Sequence, residues 1–116
     1  MLSHRLDRGV LVLTVHEDPG IDGRAELAAG MTSYMRDYQP ARVLVIIDDP
    51  AATPATASAV LRAHRQCDEL GVLMSAATRS APVRRLLEAN AASGGARLVV
   101  HPHIDVAMSA AYEAAA

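Results

Sequence analysis

Short apolar runs alternate along the chain with longer segments in which apolar residues recur at every third or fourth position. Runs rich in Val, Leu and Ile are typical of β-strands, and the wider spacing is typical of amphipathic helices. The pattern predicts strands over residues 2–6, 10–15, 43–47, 72–76 and 97–100. It predicts helices over residues 23–39, 54–70 and 81–93, and a last helix from residue 103 or 104 through residue 112.

The order of these elements, β-β-α-β-α-β-α-β-α, predicts an α/β fold with a mixed central sheet of about five strands and about four helices. The turn at 7–9 joins the first two strands, which we expect to form an antiparallel hairpin. Segment 43–47 is apolar without alternation, which is typical of a strand covered on both faces. At 116 residues the chain has the size of one domain, so we assign residues 1–116 to a single unit.

Residues that commonly begin and end helices mark the predicted helix boundaries. We expect Asp22 to cap the first helix, Thr53 to cap the second and Ser80 to cap the third. Gly71 is expected to end the second helix, and Gly94-Gly95 the third. The predicted inner faces are Val83, Leu86 and Leu87 for the third helix, and Val106, Met108 and Tyr112 for the fourth.

The polar loop after segment 43–47 is the region in which we place the functional site. It begins with the carboxylates Asp48 and Asp49, continues through Pro50, and enters the second helix at Pro54. In α/β folds, ligands and partners meet the loops at the carboxyl ends of the strands. The sequence therefore predicts a site between Asp48 and Ser58.

Composition and charge exclude several classes of function. The net charge is −2, with 11 basic and 13 acidic residues of mixed position, which does not favour a nucleic-acid surface. The chain has no Phe or Trp, so it has little with which to stack unpaired bases. A lone cysteine, Cys67, and the lack of a long apolar segment predict a cytoplasmic protein with no disulfide and no membrane contact.

Several side chains could carry chemistry, and each also has a structural interpretation. Asp48 and Asp49 could bind Mg²⁺, but we expect them to form a solvated strand end. His101 and His103 could hold a metal, yet no third ligand is evident, so we predict no metal site. We expect His64 and Cys67 to belong to the core.

The sequence gives little support to an enzyme or to a bound cofactor. No nucleophile elbow, phosphate-binding loop or dinucleotide fingerprint is present. Ser75, Ser80, Ser93 and Ser109 are not paired in sequence with a plausible base. We therefore predict no cofactor and no catalytic residue, although a triad assembled in space stays open, since sequence order does not reveal it.

Three segments carry a resemblance to a known family. Residues 63–73, AHRQCDELGVL, are similar to its second helix and the following strand. Residues 80–88, SAPVRRLLE, resemble its "SPAVRRLLE" helix, and residues 97–107, RLVVHPHIDVA, resemble its closing "strand, P-x-x-D-x-A" segment. Together with the element order, these segments resemble the STAS domain, the family of bacterial anti-sigma-factor antagonists.

The resemblance implies a regulatory protein that binds an anti-sigma factor or a serine kinase-type regulator and acts in transcription. In phosphorylation-regulated members a hydroxyl residue at the start of the second helix accepts phosphate. The corresponding position here is Ala55, which has no hydroxyl. The resemblance therefore predicts binding without the usual phosphoserine switch. Whether the domain forms a homodimer stays open.

The residues expected to meet the partner are the loop after segment 43–47 and the outer side of the second helix. Three hydroxyl residues there are alternative phosphate acceptors, although Thr53 also fits a plain helix cap. A divergent domain that binds a small anion or a nucleotide at the helix start is the alternative function. The predicted acceptors are Thr53, Thr56 and Ser58, and the predicted partner-binding residues are Asp48, Asp49, Pro50, Thr53, Thr56, Ser58, Arg62 and Arg65.

Overall fold

A computed structural model describes residues 2–90 and 97–115 and contains a five-stranded mixed sheet. The strands lie in the order β1-β2-β3-β4-β5 across the sheet. The β1 strand pairs antiparallel with β2, and the remaining neighbours are parallel. The strands are β1 (Leu2–Asp7), β2 (Val10–Val15), β3 (Arg42–Ile47), β4 (Leu73–Ala77) and β5 (Val99–His101).

Helices connect the parallel strands and follow the last one. A single short 3₁₀ turn, Asp49–Ala51, lies between β3 and the second helix. The helices are α1 (Arg24–Tyr38), α2 (Pro54–Leu70), α3 (Ala81–Ala89) and α4 (Ile104–Ala115). This order confirms the predicted β-β-α-β-α-β-α-β-α arrangement and the predicted hairpin.

The two faces of the sheet bury separate apolar clusters. On one face, alternate residues of β2 and β3, including Leu13 and Val45, pack with buried residues of α1, α2 and α3. On the other face the intervening residues, including Val12 and Leu44, pack with Ala107 and Ala111 of α4. The β3 strand therefore lies in the middle of the sheet with both faces covered, as its uninterrupted apolar sequence predicts.

Capping residues fix both ends of α2 and the start of α3. The Oγ1 atom of Thr53 accepts a hydrogen bond from the backbone N–H of Thr56, and Oγ of Ser80 accepts one from Val83. Gly71 ends α2 with φ of 72°, a left-handed conformation that a residue with a Cβ adopts only with strain. These three boundaries were predicted from sequence and are confirmed.

The first helix begins differently from the prediction. Asp22 was expected to cap it, but the residue before α1 is Gly23, which provides no side-chain cap. A turn precedes the helix here, in which the Gly23 N–H donates to the carbonyl of Gly20. Asp22 lies within this turn and is exposed, so its carboxylate is displaced from the first free amides of the helix.

Two predicted inner-face residues are exposed. Leu86 is 40% exposed, and α3 packs inward through Val83 and Leu87. Val106 is 51% exposed, because the small side chains of Ala107 and Ala111 bring α4 against the sheet. The strands β4 and β5 begin one and two residues later than predicted, and the predicted helix stop at Gly94-Gly95 lies outside the described residues.

His64 and Cys67 are both buried in the core, as predicted. The Cys67 thiol lies on the inner side of α2, with its Sγ 2.8 Å from Sδ of Met35 on α1. Burial, together with the smaller effect of the neighbouring Asp68 charge, raises the pKa of Cys67 to about 12. The thiol is therefore neutral at physiological pH.

Across residues 2–90 and 97–115, no helix combines the length and the apolar character needed to cross a membrane.

Candidate functional site

Two loops meet at the carboxyl ends of β2 and β3. One spans residues 16–23 and leads into α1, and the other spans residues 48–53 and leads into α2. They come together because β2 and β3 are parallel and in register, with Val15 opposite Ile47. The backbone N–H of Asp48 donates to the carbonyl of Val15 at 3.0 Å. This edge contains the 48–53 loop, in which the sequence predicts the functional site.

A side-chain hydrogen bond joins the two loops at the start of α2. Thr53 Oγ1 donates to Oδ1 of Asp18 at 2.9 Å, and that same oxygen accepts the Gly20 N–H at 3.0 Å. Thr53 therefore caps the helix and ties it to the other loop. A phosphate on its hydroxyl would displace both contacts and would lie next to the Asp18 carboxylate, which disfavours Thr53 as an acceptor.

The predicted surface residues divide into exposed and buried members. Thr56 is fully buried, and its Oγ1 lies 3.4 Å from Oγ1 of Thr53. Burial disfavours Thr56 as a partner contact and as a phosphate acceptor, because its side chain is enclosed in the first turn of α2. Ser58, two residues further on, is exposed and retains an accessible hydroxyl.

The acidic pair after β3 is split between two environments. The Asp48 side chain turns toward β1 and β2, whereas Asp49 is exposed and lies 3.6 Å from the guanidinium group of Arg79. An exposed pair of this kind contributes little to stability. Beside it, Ile47, Pro50 and Ile104 help to line a cavity of about 320 Å³.

The structure also brings Ser3, His16 and Asp48 into a hydrogen-bonded chain. The Oγ atom of Ser3 lies 2.7 Å from Nε2 of His16, and Nδ1 of His16 lies 2.7 Å from Oδ2 of Asp48. The side chains of His16 and Asp48 are 43% and 37% exposed, so solvent reaches the chain. Sequence reasoning missed Ser3 and His16.

The strand register explains why these residues meet. Ser3 lies opposite Thr14, near the carboxyl end of β2, because β1 runs antiparallel to β2. His16 and Asp48 directly follow the paired residues that end β2 and β3. A predicted β1–β2 hairpin beside a parallel β2–β3 pair would place the three residues at the same edge of the sheet. Their contact also depends on the register of both strand pairs, which the apolar pattern alone does not encode.

A second feature lies beside the start of α1, on the outer side of α2. There the two helices enclose a groove of about 240 Å³. Three guanidinium groups and one carboxylate line it, and within the described residues none of the four side chains forms an ion pair. The lining includes Asp22, Arg24, Ser58, Arg62 and Arg65. The structure thus brings three predicted partner residues, Ser58, Arg62 and Arg65, into one groove and adds Arg24.

The histidines considered as metal ligands lie apart from these features. His101 belongs to β5, where its carbonyl accepts the Thr78 N–H, and His103 is exposed before α4. Over residues 2–90 and 97–115, no three His, Cys, Asp or Glu side chains are grouped closely enough to hold a metal ion. The absence of a metal site stays a prediction.

Comparison of this chain with protein-family models, with curated proteins and with solved structures gave no match.

Proposed function

We propose that this chain is a STAS-like regulatory domain that binds an anti-sigma factor or a serine kinase-type regulator. The proposal rests on the sequence resemblance of residues 63–73, 80–88 and 97–107, and on an element order that agrees with it. Its site is the Asp48–Pro50 loop together with the groove between α1 and α2. Regulation of transcription would follow from sequestering the partner.

The groove supports the proposal through its charge. Arg24, Arg62 and Arg65 carry three positive charges against one negative charge from Asp22. The chain as a whole has a charge of −2, so this local excess contrasts with the rest of the surface. Guanidinium groups bind carboxylates in bidentate geometry, which gives orientation as well as attraction. The partner surface that fits here is acidic.

Charge reversal tests this surface. We expect Arg62→Glu combined with Arg65→Glu to weaken binding of the partner at least about tenfold, because the reversed charges repel an acidic surface. Arg36→Glu is the control, because Arg36 is an exposed arginine in the last turn of α1, away from the groove. Affinity purification from the source organism identifies the partner. Titration calorimetry then measures its affinity for the unaltered chain and for each variant.

Two results would overturn the proposal. One is a purification that recovers no anti-sigma factor and no kinase-type regulator. The other is unchanged affinity in the doubly reversed variant, which would remove the groove from the interface.

The proposed domain lacks the usual phosphoserine switch. Ala55, at the position of the acceptor, is followed by the buried Thr56, while Thr53 is engaged with Asp18. We expect intact mass to stay constant after incubation with the partner kinase and ATP. Ala55→Ser restores a hydroxyl in the first turn of α2 and is expected to gain one phosphate. A phosphate on Thr53 or Ser58 of the unaltered chain would contradict constitutive binding.

The same groove supports a second candidate function, the binding of a small anion or nucleotide. A volume of about 240 Å³ is enough for a phosphate group but small for a drug-sized ligand. A ligand that binds only the folded state raises the melting temperature. Thermal-shift measurements with inorganic phosphate and with ATP separate the two functions, and the doubly reversed variant is the control for both ligands.

A further inference from the structure

The hydrogen-bonded chain of Ser3, His16 and Asp48 shares only Asp48 with the docking surface proposed above. Its atoms follow the order hydroxyl, Nε2, Nδ1, carboxylate, with both distances at 2.7 Å. This order is that of a serine nucleophile, its general base and the group that orients the base. We propose that Ser3 is an activated nucleophile that takes an acyl group from small activated carboxylic esters.

The carboxylate decides which atom donates in each hydrogen bond. An ionised Asp48 can only accept, so Nδ1 of a neutral His16 must carry the proton and donate it. The lone pair of Nε2 then points to Ser3, whose hydroxyl donates to it. The carboxylate therefore selects the tautomer in which His16 can remove the proton from Ser3 Oγ.

The backbone around the three residues holds this geometry. Ser3 lies within β1 and faces Thr14 in the ladder, and both His16 and Asp48 immediately follow strands that end side by side. Residues on paired strands are positioned more rigidly than residues on free loops. The Asp48 N–H bond to the Val15 carbonyl fixes the end of β3 further.

The proposed step is an acyl transfer. Ser3 Oγ forms a bond to the carbonyl carbon of the ester while its proton passes to Nε2 of His16. The carbon–oxygen bond to the alcohol then breaks, and His16 returns the proton to the departing oxygen. The products are O-acyl Ser3 and the free alcohol, and no oxidant, reductant or metal is required.

The surroundings of Ser3 limit the reaction to modification of the serine. Ser3 is exposed and does not line either cavity described above. Among the described residues, neither of these two cavities can therefore hold the acyl donor against Ser3. The proposal therefore covers acylation of Ser3 by esters with a good leaving group. It does not include rapid catalytic turnover.

The test uses the full chain with p-nitrophenyl acetate at neutral pH. Release of nitrophenolate gives the rate, and intact mass with peptide mapping gives the position of the acetyl group. We expect one acetyl group, on Ser3, and none in Ser3→Ala. His16→Gln keeps a polar side chain but lacks a base, and should slow acylation about a hundredfold.

Asp48→Asn tests the orienting role. It should slow acylation roughly tenfold, less than for a buried triad, because water already solvates the pair. Ser109→Ala and His103→Gln remove an exposed serine and an exposed histidine elsewhere, and should react as the unaltered chain does. Circular dichroism checks that each variant is folded.

The acylation rate of His16→Gln separates a base from a structural contact. Acylation by folded His16→Gln should be slow, because glutamine cannot take the proton from Ser3 Oγ. An acetyl group found on other residues while Ser3 is unmodified would overturn the proposal. An equal rate in folded His16→Gln would do the same, and would leave the three residues as a contact between β1 and the two loops.

Discussion

The hydroxyl of Thr53 donates to the carboxylate of Asp18, so the cap of α2 is also a bond between the two loops at the carboxyl end of the sheet. These residues are 35 positions apart in sequence. The same Thr53 oxygen accepts the N–H of Thr56 in the first turn of the helix. The Thr53 side chain therefore sets where α2 begins and also positions the 16–23 loop that leads into α1.

We expect Thr53→Ala to lower the free energy of unfolding by about 1–2 kcal/mol, because a helix cap and a loop contact are lost together. Ser80→Ala is the matched comparison, since Ser80 caps α3 but its side chain makes no hydrogen bond to a second loop within residues 2–90 and 97–115. It should cost about 1 kcal/mol. Urea unfolding measures both. Equal urea midpoints for Thr53→Ala and the unaltered chain would show that the Thr53 cap and its hydrogen bond to Asp18 contribute nothing to stability.

Leucines on the two sides of the fold should respond differently to truncation. Leu44 is fully buried in β3, between the sheet and α4, and Leu44→Ala should cost about 2–5 kcal/mol. Leu86 is 40% exposed on α3, and Leu86→Ala should cost less than about 1 kcal/mol. Both are read from urea unfolding curves. Similar losses in the two variants would contradict the outward position of Leu86.

His64 is a buried polar side chain whose replacement should increase stability. Within the described part of the chain neither ring nitrogen has a hydrogen-bond partner, and Nε2 lies 3.8 Å from Oδ1 of Asp68. A buried polar group without a partner retains the cost of its desolvation. We expect His64→Leu to raise the free energy of unfolding by about 1 kcal/mol.

His64→Ala is the control for this substitution. It removes the same two nitrogens but leaves a cavity in the core, so it should be destabilising by about 1–3 kcal/mol. Thermal and urea unfolding of the two variants give the comparison. A loss of stability in His64→Leu as large as in His64→Ala would show that the imidazole is favourable where it lies.

Tyr112 should ionise later than an ordinary tyrosine. Its hydroxyl donates to Asp7 Oδ2 at 2.8 Å, and this hydrogen bond, with burial and the nearby charge, raises the pKa of Tyr112 above its usual value of 10.0. Arg5 and Arg8 act in the opposite direction. An ultraviolet titration of the three tyrosines should show a late phase that Tyr112→Phe removes and Asp7→Asn moves to lower pH.

The raised pKa of Tyr112 also predicts how the stability of the fold changes with pH. Because the pKa of Tyr112 is higher in the folded state, the unfolded state loses its proton first as pH rises. The contribution of Tyr112 is therefore complete below about pH 10 and is lost above it. As pH rises above about 10, the free energy of unfolding measured in urea should fall more steeply for the unaltered chain than for Tyr112→Phe. Parallel curves would contradict the assignment.

Much of the fold could be predicted because single residues and short runs decide it. The apolar run 43–47 requires cover on both faces, and Thr53, Gly71 and Ser80 each mark a helix end by local chemistry. The errors arise where tertiary packing decides. Asp22 was a plausible cap, but the turn before α1 places Gly23 there instead, and no local signal in the sequence distinguishes the two positions.

The candidate site was predictable only in part. The position after β3 follows from the α/β pattern, so Asp48, Asp49 and Pro50 could be named. Burial of Thr56 depends on how α2 is rotated against the core, which two adjacent hydroxyl residues do not reveal. The contact of Ser3 with His16 depends on strand register, because a shift of one residue would place Ser3 on the other face of the sheet.

The single thiol of this chain, Cys67, can be used to measure how often α1 and α2 separate. Cys67 lies against Met35 where α1 and α2 pack, and it is neutral when enclosed. A disulfide reagent can reach it only when these helices separate, so the rate of labelling measures how often they open. Since the groove spans the same two helices, a bound partner should slow that labelling without touching the sulfur atom.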